Sequence, residues 1–294
     1  MELRVLRYFL AVAREQSISG AANALHITQP ALSRQLMELE QELSTTLFIR
    51  GSRGRPVQLT EDGMRLRLRA EELIALADRT AEELSGAEEV SGVVYIGAGE
   101  TEGMRLLASA AARLRARYPR MRFHLYSGIA EDVTERLDQG LLDFGVLVGE
   151  SALQKYDYLA LPASDVWGVL VRGDHPLARQ EAVRAKDLHS EPLIVSHQAL
   201  QNNELTGWLG KKAEELNIAG SYNLLHNAVY FVEAGLGAAL CIDGLVDADS
   251  ADLRFLPLEP PLRGQLRLVW KKHQIFSKAA KLFLEELQKE LNNR

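Results

Sequence analysis

The feature that most restricts the fold is a change of hydrophobic period near residue 92. Before it, apolar residues recur at helical spacing: Leu3, Leu6, Leu10 and Ala13; then Leu32, Leu36, Leu39 and Leu43; then Leu66, Ala70, Leu73, Ala77, Thr80 and Leu84. After it, short runs rich in Val, Ile and Leu (93–97, 122–126, 144–148, 165–171, 193–195, 222–225, 238–242 and 265–270) alternate with amphipathic stretches (104–117, 132–139, 204–216 and 277–291). A 3.6-residue period belongs to helices, and short or continuous apolar runs to strands. The pattern therefore predicts an all-α head followed by an α/β body with a largely parallel sheet. At 294 residues the chain has room for two or three such units.

The head can be read in more detail. Ser17 or Ser19 can cap a second helix that packs through Ala21, Ala22 and Leu25, and Thr28 can cap a third, with Pro30 in its first turn. With the Leu32, Leu36, Leu39 and Leu43 stripe inside, a 100° step sends Pro30, Arg34, Met37 and Gln41 outward. It places Ser33 on the flank and leaves Gln29 at the exposed N-terminus. Two extended pieces within 49–59 enclose Gly51, Ser52, Arg53, Gly54 and Arg55, a basic β-wing. Thr60 then caps a long helix whose heptad seam runs through Leu66, Leu73, Ala77 and Leu84. Three closely spaced helices and an arginine-rich hairpin are the parts of a winged helix-turn-helix, which sets its second motif helix in the major groove of DNA. Charge agrees: residues 1–69 hold ten arginines against seven acids, although the whole chain is −6.

Several function classes lack a seat. The longest apolar runs, such as 234–242, fall far short of the ~20 residues of a membrane helix, and the first residues show no export signal. Cys241 is the single cysteine, the seven histidines show no metal-ligand spacing, and no G-x-S-x-G or P-loop occurs. The expectation is a cytoplasmic protein without catalytic residues, metal or cofactor. The run Gly97-Ala98-Gly99-Glu100-Thr101-Glu102-Gly103 imitates a dinucleotide loop, but its third glycine comes one position late and its two carboxylates would crowd a pyrophosphate. A nucleotide-dependent α/β enzyme with an accessory helical head is the second reading, and a plain solute-binding module the third.

The run Leu3-Arg4-Val5-Leu6-Arg7-Tyr8-Phe9-Leu10-Ala11-Val12-Ala13, then residues 17–36 from Ser17-Ile18-Ser19-Gly20-Ala21-Ala22 through Thr28-Gln29-Pro30-Ala31-Leu32-Ser33-Arg34, then Leu39-Glu40, Leu43 and Leu47-Phe48-Ile49-Arg50, resembles the LysR-type transcriptional regulators. The match is dense over residues 1 to about 65 and diffuse beyond. The resemblance implies a winged helix-turn-helix over 1–60, a dimerising linker helix and hinge over 61–91, and an effector domain over 92–294. That domain would comprise two Rossmann-like subdomains, about 92–163 with 268–294 and about 164–267, similar to type 2 periplasmic binding proteins. The DNA-contacting positions it implies are Thr28, Gln29, Pro30, Ser33 and Arg34, with Arg50, Arg53 and Arg55 on the wing. Its expected partners are double-stranded DNA carrying an interrupted inverted repeat, a small-molecule effector, further copies of the chain up to a homotetramer, and RNA polymerase.

Ligands of open α/β sheets bind beyond the carboxyl ends of strands. In the cleft that the resemblance implies, those ends present Thr101 and Glu102, Ser127 and Gly128, and Ser196, His197, Gln198 and Asn202. Thr101 suits an anion, whereas Glu100 and Glu102 beside it suit a cationic or hydroxylated group.

Overall fold

The computed structural model describes residues 1–49, 56–84, 91–149, 155–201, 204–246 and 252–292, and divides the chain into two compact units meeting near residue 86. The first unit begins with helix α1 (Leu3–Glu15), α2 (Ile18–Ala24) and α3 (Gln29–Glu42). Ser17 caps α2, its hydroxyl accepting from the Gly20 N–H at 3.1 Å. Thr28 occupies the N-cap of α3, but its hydroxyl makes no capping hydrogen bond. The core face of α1 differs from the expected stripe: Val5, Leu6, Phe9, Ala11 and Val12 are buried, Leu10 and Ala13 only half-buried, and Leu3 exposed. The reason is Phe9, whose ring packs 5.2 Å from Phe48 and turns the bulkiest side chain to the centre. In α3, Leu32, Leu36 and Leu39 are buried as expected, whereas Leu43 lies at the C-cap and is exposed.

Glu40 of α3 accepts from the N–H groups of Leu47 and Phe48, at 2.7 and 3.3 Å, and so aligns the hairpin of β1 (Phe48–Ile49) with β2 (Gln58–Leu59). Thr60 then starts α4 (Glu61–Leu84): its hydroxyl donates to Thr46 O and accepts from Gly63 N–H. A Cβ at Gly63 would stand 2.2 Å from the Leu47 carbonyl oxygen, so only glycine lets this helix approach the hairpin. Along α4 the apolar seam divides. Ala70 is buried and Leu66 and Ile74 half-buried in the head's own core, while Leu68, Leu73 and Leu76 remain exposed. Leu66, expected on the dimer seam, is half-buried against the core of its own head.

The second unit is doubly wound. β3 (Gly92–Ala98) pairs in parallel with β4 (Met121–Ser127) and β5 (Phe144–Val148), and these strands are joined by α5 (Met104–Arg117) and α6 (Ala130–Asp138). β6 (Tyr156–Arg172) starts in this sheet and continues into a second one. The second sheet contains β7 (Leu193–Ser196), β8 (Ile218–Tyr222), β9 (Ala238–Ile242) and β10 (Leu253–Pro257). β11 (Arg263–Lys271) returns to the first sheet, antiparallel to both β5 and β6. The sheet is therefore mixed rather than largely parallel, because the two strands that cross between the lobes run in opposite directions. β6 is also longer than the 165–171 run suggests. Pro162 sits where its ladder with β11 shifts register, so the missing N–H removes no ladder bond.

Helices cover both faces of each sheet. In the first lobe α5 and α10 (Lys278–Asn292) enclose one core around Ile96, Phe144 and Phe283, and α6 another around Val133, Leu137 and Val269. In the second lobe, α7 (His197–Gln201) and α8 (Glu204–Leu209) cover one face and α9 (Leu225–Glu233) the other. The helix expected over 204–216 stops at Leu209, where Gly210 takes φ +65°. The strand expected over 222–225 ends at Tyr222, and Leu225 opens α9, whose Leu225, Ala228, Val229 and Val232 are buried at helical spacing. Cys241 is a core residue whose thiol burial pushes up to about 12.

Candidate DNA interface and effector cleft

In the first unit the leucine face of α3 is spent on the core, so the opposite face is what the head can present. Thr28, Gln29, Pro30 and Arg34 are exposed and Ser33 is half-buried. They span the first turns of the helix, where backbone N–H groups also point outward. Arg34 Nε donates to Glu38 at 2.9 Å, and Gln35 Nε2 donates to the other oxygen of the same carboxylate at 2.8 Å. Both partners of the Arg34–Glu38 pair are exposed, so the pair is worth only about 0.3–0.5 kcal/mol and yields readily to a base edge or phosphate. Arg50, Arg53 and Arg55 lie outside the described residues.

In the second unit a cavity of ≈ 130 Å³ opens between the lobes. Thr101, Gly128, Ser196 and Gln198 line it, as their places after the strands imply, and so does Glu100 beside Thr101; Asp165, Trp167, Tyr222 and Asn223, which strand-end reasoning does not select as ligand-facing, join them. Glu102 is absent from the lining and pairs instead, from the turn before α5, with Arg105 in that helix's first turn. Ser127 ends the edge strand β4 with its side chain exposed, and His197 begins α7 facing solvent; neither lines the cavity. Asn202 lies outside the described residues.

Each lobe places a side-chain oxygen on a helix N-terminus of the other. The Leu225 N–H, first in α9, donates to Glu100 Oε2, and the Ala130 N–H, first in α6, donates to Gln198 Oε1 at 3.2 Å. At the floor, on the crossing strand β6, the buried carboxyl of Asp165 accepts a hydrogen bond from the Thr101 hydroxyl at 2.8 Å. Burial pushes that carboxyl up to about 6, against the opposing pull of the Thr101 hydroxyl and the Glu102 backbone N–H. Tyr222 donates its hydroxyl to Leu240 O at 2.7 Å, and burial raises its pKa well above the usual tyrosine value. A signal for Asp165 exists in the sequence: it is the one acid opening the otherwise apolar run 165–171.

Comparison with known proteins gives these two sites their context. Residues 3–64 match the family model described as a bacterial regulatory helix-turn-helix protein of the lysR family, and residues 87–292 match the LysR substrate binding domain. The chain belongs to the LysR family. It is 27% identical over 297 residues to the HTH-type transcriptional regulator YvbU of Bacillus subtilis (strain 168), covering 99% of each chain. To a probable RuBisCO transcriptional regulator of Trichormus variabilis it is 28% identical, covering 97% of this chain and 86% of that one. Among solved structures, full-length CbnR in complex with its target DNA superposes with a TM-score of 0.73 at 18% identity, covering 98% and 99% of the two chains, a likeness of fold.

As a LysR-family member, the chain is a DNA-binding transcriptional regulator with an effector-binding domain, and its relatives are regulators rather than enzymes. Two glycines of the run that imitates a nucleotide loop are explained by packing: a Cβ at Gly97, inside β3, would lie 2.4 Å from Leu142, and one at Gly103 2.6 Å from Leu266. Among the described residues no group of three potential metal ligands occurs, and no helix is long and apolar enough to cross a membrane.

Proposed function

We propose that this regulator reads duplex DNA with Thr28, Gln29, Pro30, Ser33 and Arg34 while Arg50, Arg53 and Arg55 hold the flanking backbone. The observation that carries the reading is the division of α3: its leucines are buried, and the exposed N-terminal face offers an amide, two hydroxyls and a guanidinium. Gln matches adenine and Arg guanine in the major groove, and the hydroxyls match phosphate oxygens. The side of α4 that carries the exposed Leu73 and Leu76 and the half-buried Ala77 joins two chains so that two heads span an interrupted inverted repeat, and pairs of dimers form the homotetramer. A small molecule bound between the lobes, in the cleft that Thr101, Gly128, Ser196 and Gln198 line, sets the assembly's grip on DNA and on RNA polymerase. The protein acts in the cytoplasm, where its DNA is.

Footprinting of genomic fragments followed by salt titration tests this. Arg53→Ala should weaken binding to all sequences alike and lower the salt slope by about one. A chain that protects no specific sequence at any salt concentration contradicts the proposal.

A further inference from the structure

The cleft has a chemical bias that narrows its ligand, if the reading of it as the effector site holds. Among the described residues lining it, the ionisable side chains are Glu100, Asp165 and Tyr222, with no Lys, Arg or His. The N-termini of α6 and α9, which would ordinarily draw a ligand anion, are already occupied by Gln198 and Glu100 of the chain itself. The Thr101 hydroxyl proton is likewise committed, to Asp165 Oδ1. Unsatisfied acceptor capacity is what remains. Asp165 is 1% exposed, and its Oδ2 has no hydrogen-bond partner among the described residues. A buried carboxylate oxygen in that condition is costly, and a ligand that brings a donor recovers the cost.

We propose that the effector of this regulator is a small ammonium compound, its charged N–H donors held by Asp165 and Glu100 and its short apolar body lying against Val146, Trp167, Ile242 and Leu266. Three considerations favour a cation over a neutral polyol or an acid. An ammonium carries three N–H donors on one atom, enough to serve both carboxylates, where each hydroxyl carries one. A cation also offsets the charge of the two carboxylates that line the cavity, which a hydroxyl would leave uncompensated and an anionic ligand would add to. The cavity of ≈ 130 Å³ suits a ligand of a few carbons, and its aliphatic and indole walls match a hydrocarbon stem. Trp167 is among the lining residues, and an indole ring attracts cations placed over its face.

The test uses the full chain and three isosteric probes: n-butylammonium, butyrate and n-butanol. Affinity is measured by calorimetry, and location by fluorine NMR of fluorotryptophan-labelled protein, with the Trp167 resonance assigned from Trp167→Phe. The expected result is that n-butylammonium binds about tenfold more tightly than either isostere and shifts the Trp167 resonance, and that Asp165→Asn removes about that tenfold while DNA binding persists. Glu100→Gln, whose amide oxygen still accepts the Leu225 N–H, supplies the same comparison should Asp165→Asn fail to fold. Butyrate or n-butanol binding as tightly as the amine, with a shifted Trp167 resonance, overturns the charge assignment and leaves the cleft standing as the effector site. Amine affinity untouched by both substitutions overturns it as well. If no probe moves Trp167 at ~10 mM, generous for ligands of this size, both the amine and the effector-site reading fall.

Discussion

Glu38 decides how freely Arg34 can act, because it receives both Arg34 and Gln35 on the outer face of α3. Gln29→Ala and Arg34→Ala should each leave folding intact and cost roughly 1–3 kcal/mol of specific DNA binding. Glu38→Ala should act in the opposite direction: it frees the guanidinium and removes a negative charge facing phosphate, strengthening binding by roughly 0.5 kcal/mol or more at low salt. Fluorescence anisotropy with the footprinted site measures all three, and weaker binding of the Glu38 variant would count against this role for Arg34.

Asp165 permits a second expectation at the same scale. Its folded pKa is raised from 3.8 to about 6, so between those values the folded chain binds more protons than the unfolded one, and stability falls as pH rises. The contribution is present in full below pH 4 and gone above pH 6, amounting to roughly 2–3 kcal/mol. Asp165→Asn cannot ionise, so its stability relative to the parent chain should improve as pH rises from 4 to 7. Parallel melts across that range test this, and a flat difference would mean that the carboxyl is not penalised by burial.

At the scale of elements, α4 shows why a heptad pattern does not by itself define an interface. The seam Leu66, Ala70, Leu73, Ala77 continues on one face, but the first two rungs meet the head's own core, whereas Leu73 is exposed and Ala77 half-buried. Gly63 is what brings the helix close enough for this. An apolar face left in water by Leu73 and Leu76 is covered when a second α4 packs on it. Leu73→Glu should therefore dissociate the dimer and lower affinity for the paired half-sites much more than for one half-site, since the two heads lose their effective concentration. Sedimentation at the parent mass would refute the assignment. Leu66→Glu, by contrast, should lower the melting temperature of the head itself.

At the scale of the effector domain, two reciprocal bonds tie the lobes: Glu100 to the Leu225 N–H and Gln198 to the Ala130 N–H. Each is a modest interaction, but both span the same gap between lobes joined by β6 and β11. Removing the Gln198 amide with Gln198→Ala should cost about 1 kcal/mol of closure and speed exchange of the Ala130 amide about fivefold, while core amides such as Val169 keep their rates. Hydrogen exchange read by mass spectrometry resolves the two segments, and unchanged exchange at residues 130–133 would show that the bond does not hold the lobes.

Much of this organisation was legible from local pattern alone. Buried leucines at spacings of 4 and 3 placed α3 and its outward residues, the stretches 104–117, 144–148 and 238–242 were read to their observed ends, and density of coincident positions carried the family through residue 65. These features depend on near neighbours in the chain, where period, caps and glycines suffice. Other features depend on groups far apart in sequence. Phe48 rotates the core face of α1, the head claims Leu66 and Ala70 from the seam, and β6 and β11 run oppositely because the chain crosses between lobes twice. The cleft is the clearest case, since Thr101 and Asp165 are 64 residues apart, and Glu100 and Leu225 are 125 apart. Strand ends named one side of that site, but its buried carboxylate, its shortage of cations and its occupied helix N-termini exist only once the tertiary fold has brought those groups together and excluded water from between them.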